Sequence, residues 1–161
     1  FVEIKLRKIE LPVAICIGDV ASKITSNSDK DANVCCCQKL ECELRMFGLT
    51  RPVLVGTPFV LFRGNVSYAA KLSAIEWVET KITGDDGAIK FKKNKKRKHL
   101  SSSQRARVVI ETEKPVPIVE LSSEEKASEN EDGLHGIDKL KRIVLRKEGM
   151  TVGAGKIVSF E

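Results

Sequence analysis

Leu40, Cys42, Leu44 and Met46 alternate residue by residue with Lys39, Glu41, Glu43 and Arg45. A repeat of two puts the apolar side chains on one face of an extended chain and the charges on the other, which a helix of period 3.6 cannot do. The pattern returns further on. Ala106, Val108 and Ile110 alternate with Arg105, Arg107, Val109 and Glu111, and Val66, Tyr68, Ala70, Leu72 and Ala74 share one parity. In the strand read from Val66 to about Ile82, Ile75 and Trp77 fall out of phase, which predicts a bulge at Ala74 to Glu76. Phe59 to Phe62 is an apolar run between the Gly56-Thr57-Pro58 turn and Gly64, and a short strand, Ile118 to Leu121, is expected after Pro115 and Pro117. Ile143 and Leu145 open a last hairpin with Lys147-Glu148-Gly149-Met150 as its turn; in its return strand Val152, Ala154, Val158 and Phe160 are expected on one face. Helical periodicity is scarce throughout. The chain reads as all-β, an antiparallel barrel that closure would free of exposed edges.

The ending EGMTVGAGKIVSF raises nucleotide chemistry and then excludes it. A phosphate-binding loop needs glycine, four residues, glycine, lysine and a hydroxyl residue, whose backbone amides and hydroxyl hold phosphate and metal. Met150 stands where the first glycine should be, Ile157 stands where Ser or Thr is required, and five residues after Lys156 cannot supply the helix that completes such a site. Other candidates fail in the same way. Asp85 and Asp86, between Gly84 and Gly87, read as a turn. Ser101, Ser102 and Ser103 beside His99 lack the held base and orienting acid that an activated serine needs. The five cysteines, with Cys35, Cys36 and Cys37 consecutive, lack zinc spacing and read as reduced structural thiols. No catalytic, cofactor or metal residue is assigned.

The net charge of +6 is concentrated, with Lys90, Lys92, Lys93, Lys95, Lys96, Arg97 and Lys98 crowded into nine positions. Three readings stand open for this run: a solvated hairpin loop, a sequence-independent contact of Lys92, Lys93, Lys95, Lys96, Arg97 and Lys98 with ribosomal or messenger RNA, or a nuclear import tag. Phe91 is the single aromatic among them, which favours backbone contact over base stacking. Residues 122–138, acidic and Ser-rich, read as a surface insertion, and 25–33 as a polar linker. No apolar stretch is long enough to span a membrane. The opening Phe-Val-Glu-Ile-Lys-Leu-Arg, strand-like and without methionine, is expected to continue an upstream domain.

Three blocks carry a resemblance. Phe1 to Arg7 with Gly18-Asp19-Val20 looks like the end of the second domain of a translational GTPase, Arg51 to Phe62 resembles the early hairpin of its third domain, and Leu140 to Ile157 resembles the signature near that domain's C-terminus. Lys98-His99-Leu100 with Gln104-Arg105-Ala106 is similar to a strand start in the same domain. Within that superfamily the chain resembles the branch of HBS-one-like factors and superkiller protein seven. Lys141 and Gly153, where members usually carry Gly and often Ala, and the 122–138 insertion lean toward the latter.

The resemblance implies a six-stranded antiparallel barrel over residues 34–161, with insertions at 84–104 and 122–138, preceded by closing strands of a second barrel at 1–24. It implies GTP, with Mg, in an upstream domain on which the barrel packs. It further implies a monomeric, cytoplasmic adaptor in mRNA surveillance that links ribosomes stalled on nonstop messages to the RNA exosome and Ski complex. The alternatives are a ribosome-rescue GTPase with a Pelota-type partner, or a stand-alone basic RNA-binding barrel.

Overall fold

The computed structural model describes residues 34–83, 89–119 and 140–161. The strand readings at 1–24, the linker 25–33, the Asp85-Asp86 turn and the 122–138 insertion lie outside the described residues. Among the described residues nine strands follow in order: β1 (Val34–Met46), β2 (Val53–Leu54), β3 (Pro58–Arg63), β4 (Val66–Thr83), β5 (Ile89–Asn94), β6 (His99–Leu100), β7 (Arg105–Val119), β8 (Arg142–Lys147) and β9 (Met150–Phe160). Six of them form a ring in the order β3, β8, β9, β1, β7, β4, and β4 pairs back to β3 to close it. All ring pairings are antiparallel. β2 and β6 form a separate two-stranded sheet.

The alternation of β1 is realised: Leu40, Cys42, Leu44 and Met46 are buried, and Lys39, Glu41, Glu43 and Arg45 are not. Leu61, Leu72, Val108, Ile110, Ile143 and Leu145 meet them inside the ring, and Val53 and Leu100 from the small sheet join the same core. The expected irregularity in β4 is present, as register shifts between Leu72 and Ala74 and between Ile75 and Trp77. The last hairpin turns through Glu148 (φ 51°) and Gly149 (φ 79°), the two positive φ values that a two-residue type I′ turn demands.

Three expectations are corrected. In β9 the buried apolar side chains are Val152 and Ile157, beside the buried Gly153, while Val158 is exposed, because the register shifts where Glu41 faces Ser159 and Cys42 faces Ile157. Val158 is left out of the pairing, and Gly153 and Gly155, not Ala154, lie opposite the inward residues Met46 and Leu44. Pro115 and Pro117 do not break the chain: they lie within β7, where the strand has passed its last partner on β4 and, among the described residues, pairs with β1 alone. Two residues apart, they lack N–H groups on the same edge, so one unpaired edge accommodates both. The ladder between β1 and β7 is also irregular there, since Cys37 faces Val116 but Lys39 faces Glu111. Side chains fill the gap. Gln38 Nε2 donates to the Glu113 carbonyl at 3.0 Å, and the buried Thr112 hydroxyl donates to the Lys114 carbonyl at 2.8 Å, with the Gln38 carbonyl at 3.2 Å. The third correction concerns the basic run.

Candidate nucleic-acid interface

β4 is 18 residues long, and only part of it belongs to the ring. Its last six residues, Val78 to Thr83, pair with β5, so a two-stranded arm continues out of the barrel wall. Lys92 and Lys93, expected in a loop, therefore lie on a strand opposite Thr80 and Glu79. Lysine carries little strand preference of its own; here the partner strand supplies the pairing. Among the described residues the other edge of β5 has no partner strand. Lysines on such an edge also oppose unwanted pairing with another chain.

Alternation sends neighbouring lysines to opposite faces. Lys93 takes the face of Trp77, with Nζ 4.3 Å from the ring centroid, and covers an indole that is only 8% exposed. Lys92 takes the other face. β5 ends at Asn94, opposite Val78 at the root of the arm, and Asn94 Oδ1 accepts the Lys96 amide at 2.9 Å, a bond that fixes the turn presenting Lys95 and Lys96. Lys92, Lys93, Lys95 and Lys96 border one recess together with Thr80 and Asn94. Arg97 is half-buried and Lys98 exposed on the way into β6, and neither reaches that recess. Four of the six candidate residues are thus brought together.

The barrel's outer face handles its charges differently. Across β1, β7 and β4, Arg107 pairs with Glu41, Arg105 approaches Glu43 at 3.8 Å, and Lys71 meets Glu111 at 3.1 Å. The Ser159 hydroxyl donates to Glu41, and with the Arg107 guanidinium it holds that carboxyl below its ordinary value against the opposing effect of burial. Among the described residues, Lys92, Lys95, Lys96, Arg97 and Lys98 have no ion-pair partner. Their charge is available to a polyanion.

The other sequence candidates are occupied by structural work. Gly153, Gly155 and Lys156 lie in β9 between β1 and β8, with their backbone in two ladders and not in a phosphate-binding loop. The Ser102 hydroxyl donates to the Leu49 carbonyl at 3.1 Å and accepts the Leu49 amide at 2.8 Å. Burial pushes the Cys42 thiol far up from its ordinary range, which keeps it protonated and inert.

No protein-family model matches the chain. Among solved structures, Sup35 complexed with GDP is similar at a TM-score of 0.56 and 16% identity, over 80% of this chain and 26% of that one. The S. cerevisiae Ski7 GTPase-like domain bound to GTP is similar at 0.53 and 13% identity, over 84% of this chain and 23% of that one. The same domain bound to GDP and inorganic phosphate gives 0.50 and 12%, over 78% and 21%. The chain spans about a quarter of the length of these structures. At such identities the likeness is one of fold: the closed six-stranded antiparallel β-barrel of this chain matches a barrel in these proteins.

Proposed function

We propose that this chain is the non-catalytic barrel module of a translational GTPase-like adaptor, and that its basic arm grips the phosphate backbone of ribosomal or messenger RNA. The observation that carries the reading is the arm itself: Lys92, Lys95 and Lys96 around one recess, without ion-pair partners among the described residues, beside Lys93, whose ammonium is engaged on Trp77, all mounted on a barrel of the kind seen in Sup35 and the Ski7 GTPase-like domain. Ammonium groups act as point charges that neutralise phosphates without reading bases. The nucleotides named for those two proteins have no counterpart site in the Gly-Lys stretch, which lies in a ladder, so GTP and its Mg would belong to an upstream domain. In the parent protein the module would pack on that domain and, as a cytoplasmic monomer, help connect ribosomes stalled on nonstop messages to the exosome and Ski complex.

The test is ribosome association of the 161-residue chain over a salt series. A variant with Lys92, Lys95, Lys96, Arg97 and Lys98 changed to Gln spares Lys93, so the packing on Trp77 is kept. It should bind more weakly, with the log-log slope reduced by about 0.7 for each phosphate that is no longer neutralised on a single strand. Equal affinity and equal slope would sink the proposal.

A further inference from the structure

A second recess lies on the outer side of the arm's base, assembled from four separated parts of the chain. Phe91 comes from β5, Glu79 and Thr80 from β4, Arg45 from the end of β1, and Ser102, Ser103, Gln104 and Arg105 from the turn into β7. We propose that this recess receives one unstacked base of single-stranded RNA on the face of Phe91; the proposal rests on the RNA reading of the arm and names the form of RNA that it takes.

Phe91 is 65% exposed, more than any other large apolar side chain among the described residues. The other side chains in the recess, Glu79 and Thr80 among them, carry polar or charged heads on short or aliphatic stems. A base offers a π-face to the ring and polar edges to the surroundings.

The charges favour the same occupant. Arg45 and Arg105 are directly opposite one another on neighbouring strands, both exposed, and like charges so placed repel. Glu43, at 3.8 Å from Arg105, offsets part of this, and Glu79 adds a second carboxylate to the recess, but Arg45 has no ion-pair partner among the described residues, and the two guanidiniums face two carboxylates of which only Glu43 is paired. Phosphates flanking a stacked base would bring negative charge to this pair. Guanidinium groups match phosphate oxygens in geometry as well as charge.

The turn beneath is held in place. The Gln104 carbonyl accepts the Met46 amide at 2.8 Å, and its side-chain Oε1 accepts the Ser101 amide at 2.8 Å, which orients the carboxamide and leaves its N–H groups for a base edge. Ser102 is tied to Leu49 through both hydroxyl bonds, and Ser103 sits at φ 62°, a left-handed conformation that the surrounding bonds maintain. In a duplex the bases are stacked inside, so an intact helix cannot deliver one to Phe91.

The experiment measures binding of the 161-residue chain to a single-stranded oligouridine and to an RNA duplex of equal length, by fluorescence anisotropy. The variants are Phe91→Ala, Phe91→Leu and Phe91→Trp. Phe91→Ala and Phe91→Leu should each weaken single-strand binding by roughly tenfold and leave duplex binding unchanged, while Phe91→Trp retains it. The salt slope of Phe91→Leu should equal that of the parent, since every phosphate-neutralising cation is still present. Parental single-strand affinity in Phe91→Leu overturns the base site and leaves the arm's grip on phosphate standing. Absence of salt-dependent binding to either RNA overturns both.

Discussion

Gly155 lies against Glu43 across the β1–β9 ladder with no room for a single carbon between them: a Cβ on Gly155 would run into the Glu43 carbonyl and the Leu44 Cα. The obstruction is backbone, so no side-chain rotation relieves it. Gly155→Ala should therefore destabilise the barrel by at least about 1–3 kcal/mol, as overpacking does. Gly48→Ala, where a Cβ meets nothing within 4 Å, is the control and should be neutral or slightly stabilising. Urea melts of the two variants check the order.

Leu44 is 2% exposed inside the ring, whereas its neighbour Glu43 faces outward toward Arg105. Leu44→Ala should cost about 2–5 kcal/mol as a cavity-forming change, and Glu43→Ala should stay within about 0.5 kcal/mol because its ion pair is long and solvated. Equal losses in denaturant melts would contradict the register of β1.

Glu41 supplies a pH dependence. The Ser159 hydroxyl and then Arg107 depress its carboxyl below the ordinary 4.5. A depressed folded value means stability that is present above the unfolded value and lost as pH falls through the folded one. Relative to Glu41→Gln, the parent should be more stable near pH 7, and the difference should shrink as the pH drops below about 4.5. Thermal melts at pH 7, 5, 4 and 3 would measure it, and a constant difference would argue against the ion pair.

Trp77 is the only tryptophan in the chain, so its emission reports on the arm. Removing the ammonium that covers it, by Lys93→Ala, should shift the emission to the red and cost about 0.5–1 kcal/mol. Lys95→Ala should do neither. Emission spectra of the two variants, with melts alongside, decide it.

The sequence displayed what local periodicity can carry. Leu40 to Met46 announced an inward face because four apolar residues repeat without interruption, and Glu148-Gly149 announced a hairpin because few residue pairs suit two positive φ values. β9 was misphased for a physical reason: Gly153 and Gly155 hold inward positions without contributing any hydrophobic signal, and Val158 slips out of register beside Ile157. Pro115 and Pro117 read as a break because an unpaired strand edge is a tertiary fact. The lysines were legible as charge but not as strand, since Val78 to Thr83 impose that state from across the hairpin. Arg45, Phe91 and Gln104 could not be associated at all from sequence, as three separate turns of the chain bring them to one recess.

β4 passes from barrel wall to arm as one strand, with its irregularities at Ser73 and Glu76 already behind it when Val78 begins the outward section. A basic tail on a flexible leader would sample every direction. A strand rooted in a closed ring has one heading, and the lysines stand at its rooted end: Val78 faces Asn94, Glu79 faces Lys93 and Thr80 faces Lys92, with Lys95 and Lys96 following where β5 returns to the barrel. Their faces are therefore set by the ladder beside the ring. A single residue inserted after Lys93 would exchange the faces of Lys92 and Lys93 and take the ammonium off Trp77, whereas two inserted residues would restore both.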